Sequence, residues 1–207
     1  MKRIIGYVNT ADLNHMREED VRALTVINIA FGLIRDGEVV WDAKDARDGM
    51  VSIRKSNPEL KIVLSVGGWG ADGFSQAAGT KKGRERFAAS ALAIVKEYGL
   101  DGIDIDWEFP GMTFGSNAYD ELVDVENFTL LMKDLRAALG QSTLLTYAGY
   151  CMDKRPQGEG YKYIDVKAVD PYVDFVNIMA YDLVDAPQHQ SALNKPSNYW
   201  DCQRSVD

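Results

Sequence analysis

Histidine and cysteine are both scarce, with two of each among 207 residues. A transition-metal centre usually recruits imidazole, and His15 and His189 lie far in sequence from the clustered acids, so no metal site is expected. Cys151 and Cys202 are too few for a disulfide framework and read as reduced thiols. No apolar run approaches the roughly eighteen residues of a membrane span, so no membrane partner is expected. No Lys/Arg cluster offsets a formal net charge of −8, which argues against nucleic acid and favours a neutral or cationic partner. The chain enters the strand-like Ile4-Ile5-Gly6-Tyr7-Val8 almost at once, so the expectation is a cytoplasmic protein, or a secreted one whose leader has been removed. Asn127-Phe128-Thr129 fits a glycosylation sequon but falls inside a predicted helix and is read as chance.

What the chain does have is 46% hydrophobic and 26% charged residues, enough for one sizeable core, and an unusual octet, Asp101-Gly102-Ile103-Asp104-Ile105-Asp106-Trp107-Glu108. A strand sends alternate residues to one face, so Asp104, Asp106 and Glu108 should point together while Ile103, Ile105 and Trp107 pack the other way. Neighbours on that face are roughly 6 to 7 Å apart, so three ionised carboxylates would repel strongly and at least one should hold a proton near neutral pH. A solvated charged face would not be interleaved with large apolar residues. A calcium loop would want Gly at its sixth position and Glu at its twelfth; counted from Asp104 these are Phe109 and Gly115. Asp101, of opposite parity, reads as structural.

Periodicity predicts strands at about 3–9, 26–34, 61–67, 102–108, 144–150 and 174–182. Amphipathic helices are predicted over 84–98 and 126–139, stopped by Gly99 and Gly140, and shorter ones near 17–24, 46–56 and 163–170. Asp36-Gly37 between apolar pairs predicts a hairpin. The alternation implies a parallel sheet, either open and doubly wound or closed as a barrel. The open sheet would often carry a glycine-rich phosphate turn after its first strand, where this chain has Tyr7-Val8-Asn9-Thr10-Ala11. Tyr7, Phe31, Trp69, Glu108, Tyr150, Tyr181 and Asp182 instead gather at the C-terminal ends of strands, where a barrel keeps its site.

These residues resemble family 18 of the glycoside hydrolases, the chitinase family. Its D-G-x-D-x-D-x-E motif is matched by Asp101 to Glu108, its S-x-G-G by Ser65-Val66-Gly67-Gly68, and its M-x-Y-D by Met179-Ala180-Tyr181-Asp182. Ala30-Phe31 falls where the family has a non-proline cis peptide, and His189 to Leu193 is similar to its H-x-S-x-L segment. The resemblance implies an α/β fold: a TIM (β/α)8-type barrel, incomplete, with strands 1 to 6 present and strands 7 and 8 missing, all of 1–207 forming one truncated catalytic domain. Ser205-Val206-Asp207 is similar to the opening of the sixth barrel helix.

The function implied is hydrolysis of chitin-type polymers or oligomers of β-1,4-linked N-acetylglucosamine, without a cofactor. Glu108 would be the general acid, Asp106 would hold the substrate's acetamide so that its carbonyl oxygen attacks the anomeric carbon, and Asp104 would share a proton with Asp106. Tyr181 would donate to the attacking oxygen, Asp182 would bind near the same sugar, and Met179 would pack beneath the acetyl methyl. Tyr7, Phe31 and Trp69 would complete the sugar contacts, an aromatic face suiting the C–H face of a pyranose. Trp107 points away from the acids and Gly67 and Gly68 permit close backbone approach. The alternatives are a sugar-binding, lectin-like member with impaired catalysis, a truncated inactive fragment, or an N-glycan core or peptidoglycan substrate. Six strands would leave two open edges, so self-association through those edges is a further expectation.

Overall fold

Each predicted strand is a short apolar run whose inner face carries a few small or polar residues. In the computed structural model, which describes residues 2–44, 46–112, 118–150, 164–183, 190–191, 193 and 202, these runs form β1 (Ile5–Asn9), β2 (Val26–Arg35), β4 (Lys61–Gly67), β5 (Gly102–Asp106), β6 (Leu144–Tyr150) and β7 (Phe175–Met179). They lie parallel in the order β1-β2-β4-β5-β6-β7. The short β3 (Glu38–Val40) pairs antiparallel with β2 across the Asp36-Gly37 turn, where both residues have positive φ, as the hairpin reading requires.

Helices cover the outer face: α1 (Glu18–Ala23), α2 (Arg47–Ser56), α3 (Phe74–Ala78), α4 (Lys81–Tyr98), α5 (Asp124–Leu139) and α6 (Val166–Val169). The core lies between them and the outward strand residues, with Ile62, Leu64, Ile103, Ile105 and Leu145 meeting Phe87, Ala91, Phe128 and Leu135 in one buried cluster. Trp107 is 1% exposed and stacks on Phe74 with the rings 7° from parallel, as its parity predicts.

Several boundaries differ from the periodicity reading. Helix α4 begins three residues earlier than the apolar stripe, because the Thr80 hydroxyl caps it by accepting from the Gly83 amide at 3.0 Å. The short α3 and the 3-10 turn Thr10–His15 carry too few residues to show a period. β5 ends at Asp106, so Glu108 stands in the loop just above the strand, and β7 ends at Met179, which leaves Tyr181 and Asp182 in the loop that follows. His189, Cys151 and Ser205 to Asp207 lie outside the described residues.

The sheet is curled, and a single side chain shows it. Asp104 on β5 accepts hydrogen bonds from Tyr7 on β1, Ser65 on β4, Thr146 on β6 and Asn177 on β7, at 2.9, 2.8, 2.6 and 3.2 Å. A flat six-stranded sheet, with strands about 4.8 Å apart, could not bring its two edges to one carboxylate. At the opposite end Arg3, just before β1, stacks its guanidinium on the Phe175 ring of β7 at 4.5 Å. Among the described residues no strand covers the outer edges of β1 or β7, and the sheet is a half-barrel open between them.

A recurring clamp holds the lower rim. The residue before β2, Thr25, donates its amide to the Ile4 carbonyl and accepts the Ile4 amide on its hydroxyl. Asp101, before β5, does the same to Ile62, and Asp174, before β7, to Leu145. In a parallel ladder the first N–H of a strand points toward a neighbour that has not yet begun, so a side-chain acceptor must stand in for the missing carbonyl.

Candidate active site

β4 and β5 run side by side with Ser65 opposite Asp104 and Gly67 opposite Asp106, so their inner faces rise together toward one mouth. Gly67 and Gly68 carry the chain over that mouth with φ of 116° and 90°. A Cβ on Gly67 would lie 2.1 Å from the Asp106 carbonyl oxygen, and one on Gly68 would lie 2.8 Å from the Phe31 ring. Both positions therefore need glycine for conformation and for space. The Gly68 amide donates to that same Asp106 carbonyl at 2.9 Å, which fixes the top of β5. The Ala30-Phe31 peptide is cis, as the resemblance implies, and so is Glu108-Phe109.

The three acids share one face but not one environment. Asp104 is fully buried; burial raises its pKa, and the donors from Thr146, Ser65, Tyr7 and Asn177 oppose that rise without cancelling it. Asp106, above it, is 5% exposed, and its Oδ1 has no hydrogen-bond partner among the described residues. Burial, then the charges of Glu108 and Asp104, push the Asp106 carboxyl up to about 8. Glu108 is half-buried, and burial raises it too. A site at neutral pH thus holds at least one proton among these carboxyls, as the spacing predicts.

The other predicted site residues fall around the same mouth. The Tyr7 hydroxyl is committed to Asp104, and burial first, then the Asp104 charge, raises its pKa. Tyr181 is 51% exposed, and its hydroxyl is raised by burial and then by the charges of Asp106, Glu108 and Asp182. Asp182 takes a positive φ of 53°, and its amide donates to the Gln190 side chain at 2.6 Å. Met179 ends β7 and is buried, whereas Trp69, two residues beyond β4, is 68% exposed. Phe31 borders a cavity of about 650 Å3 that also meets Asn9, Thr10, Arg35, Trp41 and Asp42.

Thr146 and Asn177 are absent from the sequence-based site, yet they touch Asp104 directly. Their signal is faint but physical: each is a lone polar residue at inward parity within an apolar strand, Leu-Leu-Thr-Tyr-Ala and Phe-Val-Asn-Ile-Met. Asn28 on β2 is a third, 1% exposed with neither amide atom partnered among the described residues.

A curled parallel half-barrel with three graded acids at the mouth of its fourth parallel strand defines a class that sequence comparison identifies. Residues 3–207 match the model of the glycosyl hydrolases family 18, and the chain belongs to that family. It is 35% identical over 154 residues to chitotriosidase-1 of Mus musculus, covering 70% of this chain and 32% of that protein. It is 37% identical over 160 residues to chitinase A1 of Niallia circulans, covering 71% of this chain and 22% of that protein. Among solved structures it resembles a family 18 N-acetylglucosaminidase from Paenibacillus barengoltzii with a TM-score of 0.86 and 34% identity, over 99% of this chain and 63% of that one. The chain thus spans about a third or less of these two curated relatives. The fold is an incomplete (β/α)8-type barrel.

Proposed function

We propose that this site hydrolyses β-1,4-linked N-acetylglucosamine chains by substrate-assisted catalysis with retention, residues 1–207 forming part of one catalytic domain. The observation that carries the reading is Asp106: a buried carboxyl, unpartnered at Oδ1 and flanked by Asp104 and Glu108. An orphaned acceptor at the mouth of a site is costly unless a ligand completes it, and an acetamide N–H is a donor of the right kind. With that N–H on Asp106, the acetamide oxygen is directed at the anomeric carbon. Glu108, whose pKa is raised by burial, gives a proton to the departing glycosidic oxygen. The C–O bond breaks, the acetamide oxygen closes on the anomeric carbon, and the resulting oxazolinium ion lies over the negative charge that Asp104 and Asp106 share. Water then attacks the same carbon from the leaving-group side, giving its proton to Glu108 as the bond to the acetamide oxygen breaks and the N-acetyl group is restored, and two inversions make one retention.

Tyr181 supports the acetamide oxygen with its hydroxyl, Asp182 binds near the same sugar, and Met179 lies beneath the acetyl methyl. Tyr7 acts through Asp104. Phe31 and the exposed face of Trp69 receive neighbouring sugar rings. The names of the relatives support N-acetylglucosamine oligomers as substrate.

A fluorogenic N-acetylchitobioside tests the reading. The full chain should release the fluorophore with retention, and Glu108→Gln should lower kcat by about 10²- to 10⁴-fold, the usual worth of a general acid. Equal turnover of a glucoside lacking the N-acetyl group would refute substrate assistance.

A further inference from the structure

Asp124 is a buried acid that the reaction as drawn leaves unused. It is 0% exposed at the first position of α5, and it forms no salt bridge with a cationic side chain among the described residues. Its Oδ2 accepts the Gly111 amide at 3.3 Å and the Asp120 amide at 2.6 Å, and its Oδ1 accepts the Ser75 hydroxyl of α3 at 2.8 Å. Gly111 stands three residues beyond Glu108, with a positive φ of 71°. Ser75 belongs to the helix that receives the loop carrying Trp69. One carboxylate therefore gathers both ends of the β5–α5 loop and the start of α3 at a single point. Between Asp106, where β5 ends, and Gly111, the chain carrying Glu108 has no strand ladder to hold it.

We propose that Asp124 is a positioning residue for the general acid: by pinning the Gly111 amide it fixes the height at which Glu108 meets the leaving oxygen. The inference rests on the hydrolase reading above. The buried rings of Trp107 and Phe109 flank Glu108, Asp124 adds a fixed point beyond them, and a displacement of the Glu108 carboxyl by about 1 Å can cost roughly 100-fold in rate. Asp124→Asn is close in shape but replaces one acceptor oxygen with an NH2 donor, so Ser75 must turn from donor to acceptor and the anchor is weakened.

The test compares leaving groups in the full chain. A dinitrophenyl N-acetylchitobioside departs with little help from an acid, whereas a chitooligosaccharide needs the proton. Asp124→Asn should lose at least about tenfold more kcat on the oligosaccharide than on the dinitrophenyl substrate, and in a Glu108→Gln background it should lose nothing further. Equal losses on both substrates, or no loss, would overturn the proposal, because a smaller folded fraction lowers both alike. If Asp124→Asn does not fold, Asp124→Glu, which moves the anchor by one methylene, should give the same split. A wild-type chain inactive on both substrates sinks the hydrolase reading alone. The anchor is then judged by hydrogen exchange at the Gly111 and Asp120 amides, which should be protected in the wild type and released in the variant; rapid exchange in the wild type overturns it.

Discussion

Asp106 combines burial, an unpartnered oxygen and two acidic neighbours, and this has a consequence for stability as well as for chemistry. Its ordinary value is 3.8, and burial, with Glu108 and Asp104, pushes it up to about 8 in the folded protein. The folded state therefore keeps a proton that the unfolded chain has already released. Stability from this group is full below its unfolded value, falls as pH rises, and is lost once pH passes about 8. Asp106→Asn cannot titrate and relieves the charge on its neighbours, so its thermal midpoint should vary less between about pH 5 and pH 8 than the wild type's. Identical slopes would show that the proton resides elsewhere. The octet made the crowding of these acids legible, since strand parity alone brings them to one face. It could not show that Asp104 would be saturated with donors and that Asp106 Oδ1 would be unpartnered among the described residues, because Thr146 and Asn177 approach from strands far away in sequence.

Secondary elements here are tied down by buried ions at their ends as well as by apolar faces. Arg136 on α5, its side chain 8% exposed, donates to the carbonyls of Tyr172, Gly140 and Thr143 and to the Asp174 carboxylate at 2.7 Å. Asp174 in turn takes the Leu145 amide, so one guanidinium holds the end of α5, the start of β6 and the approach to β7. Arg136→Ala leaves that carboxylate and those carbonyls without their donor, and a loss of about 3 to 5 kcal/mol is expected in denaturant unfolding. A loss below about 1 kcal/mol would mean that water replaces the guanidinium at little cost. Arg54 plays a looser version of this part toward Asp101 at 2.9 Å; burial pushes Asp101 up, and the Ile62 amide with Arg54 and Lys61 more than reverses that, leaving it below its ordinary value. Helices with a clear stripe, α4 and α5, could be read from period and terminal glycine. Helix α3 and the 3-10 turn Thr10–His15 are shorter than the window over which a period can be measured, and the start of α4 is set by a hydroxyl outside its apolar stripe.

Over the whole molecule, order is graded from the centre of the sheet outward. Every residue of β5 and all of β4 except Lys61 are buried, whereas β1 and β7 are mostly half-buried or exposed. Native-state hydrogen exchange should therefore be slowest in β4 and β5 and fastest in β1 and β7, by about 100-fold or more at the extremes. Uniform protection across all six strands would instead point to a covered seam, as self-association through the open edges would provide. The parallel order and curvature followed from strand-helix alternation and the position of the polar residues. The extent of the curl did not, since it depends on hydrogen bonds that cross the interior to Asp104. The lower-rim clamp adds a different kind of order. Thr25, Asp101 and Asp174 each lock a strand to the one before it, always at the second member of a pair, so the lower rim repeats in steps of two strands. A slip of one residue within any pair would break both bonds of its clamp at once, which makes each pair a separately gauged tile. An eight-stranded ring divides into four such tiles, and three of them are laid in this chain.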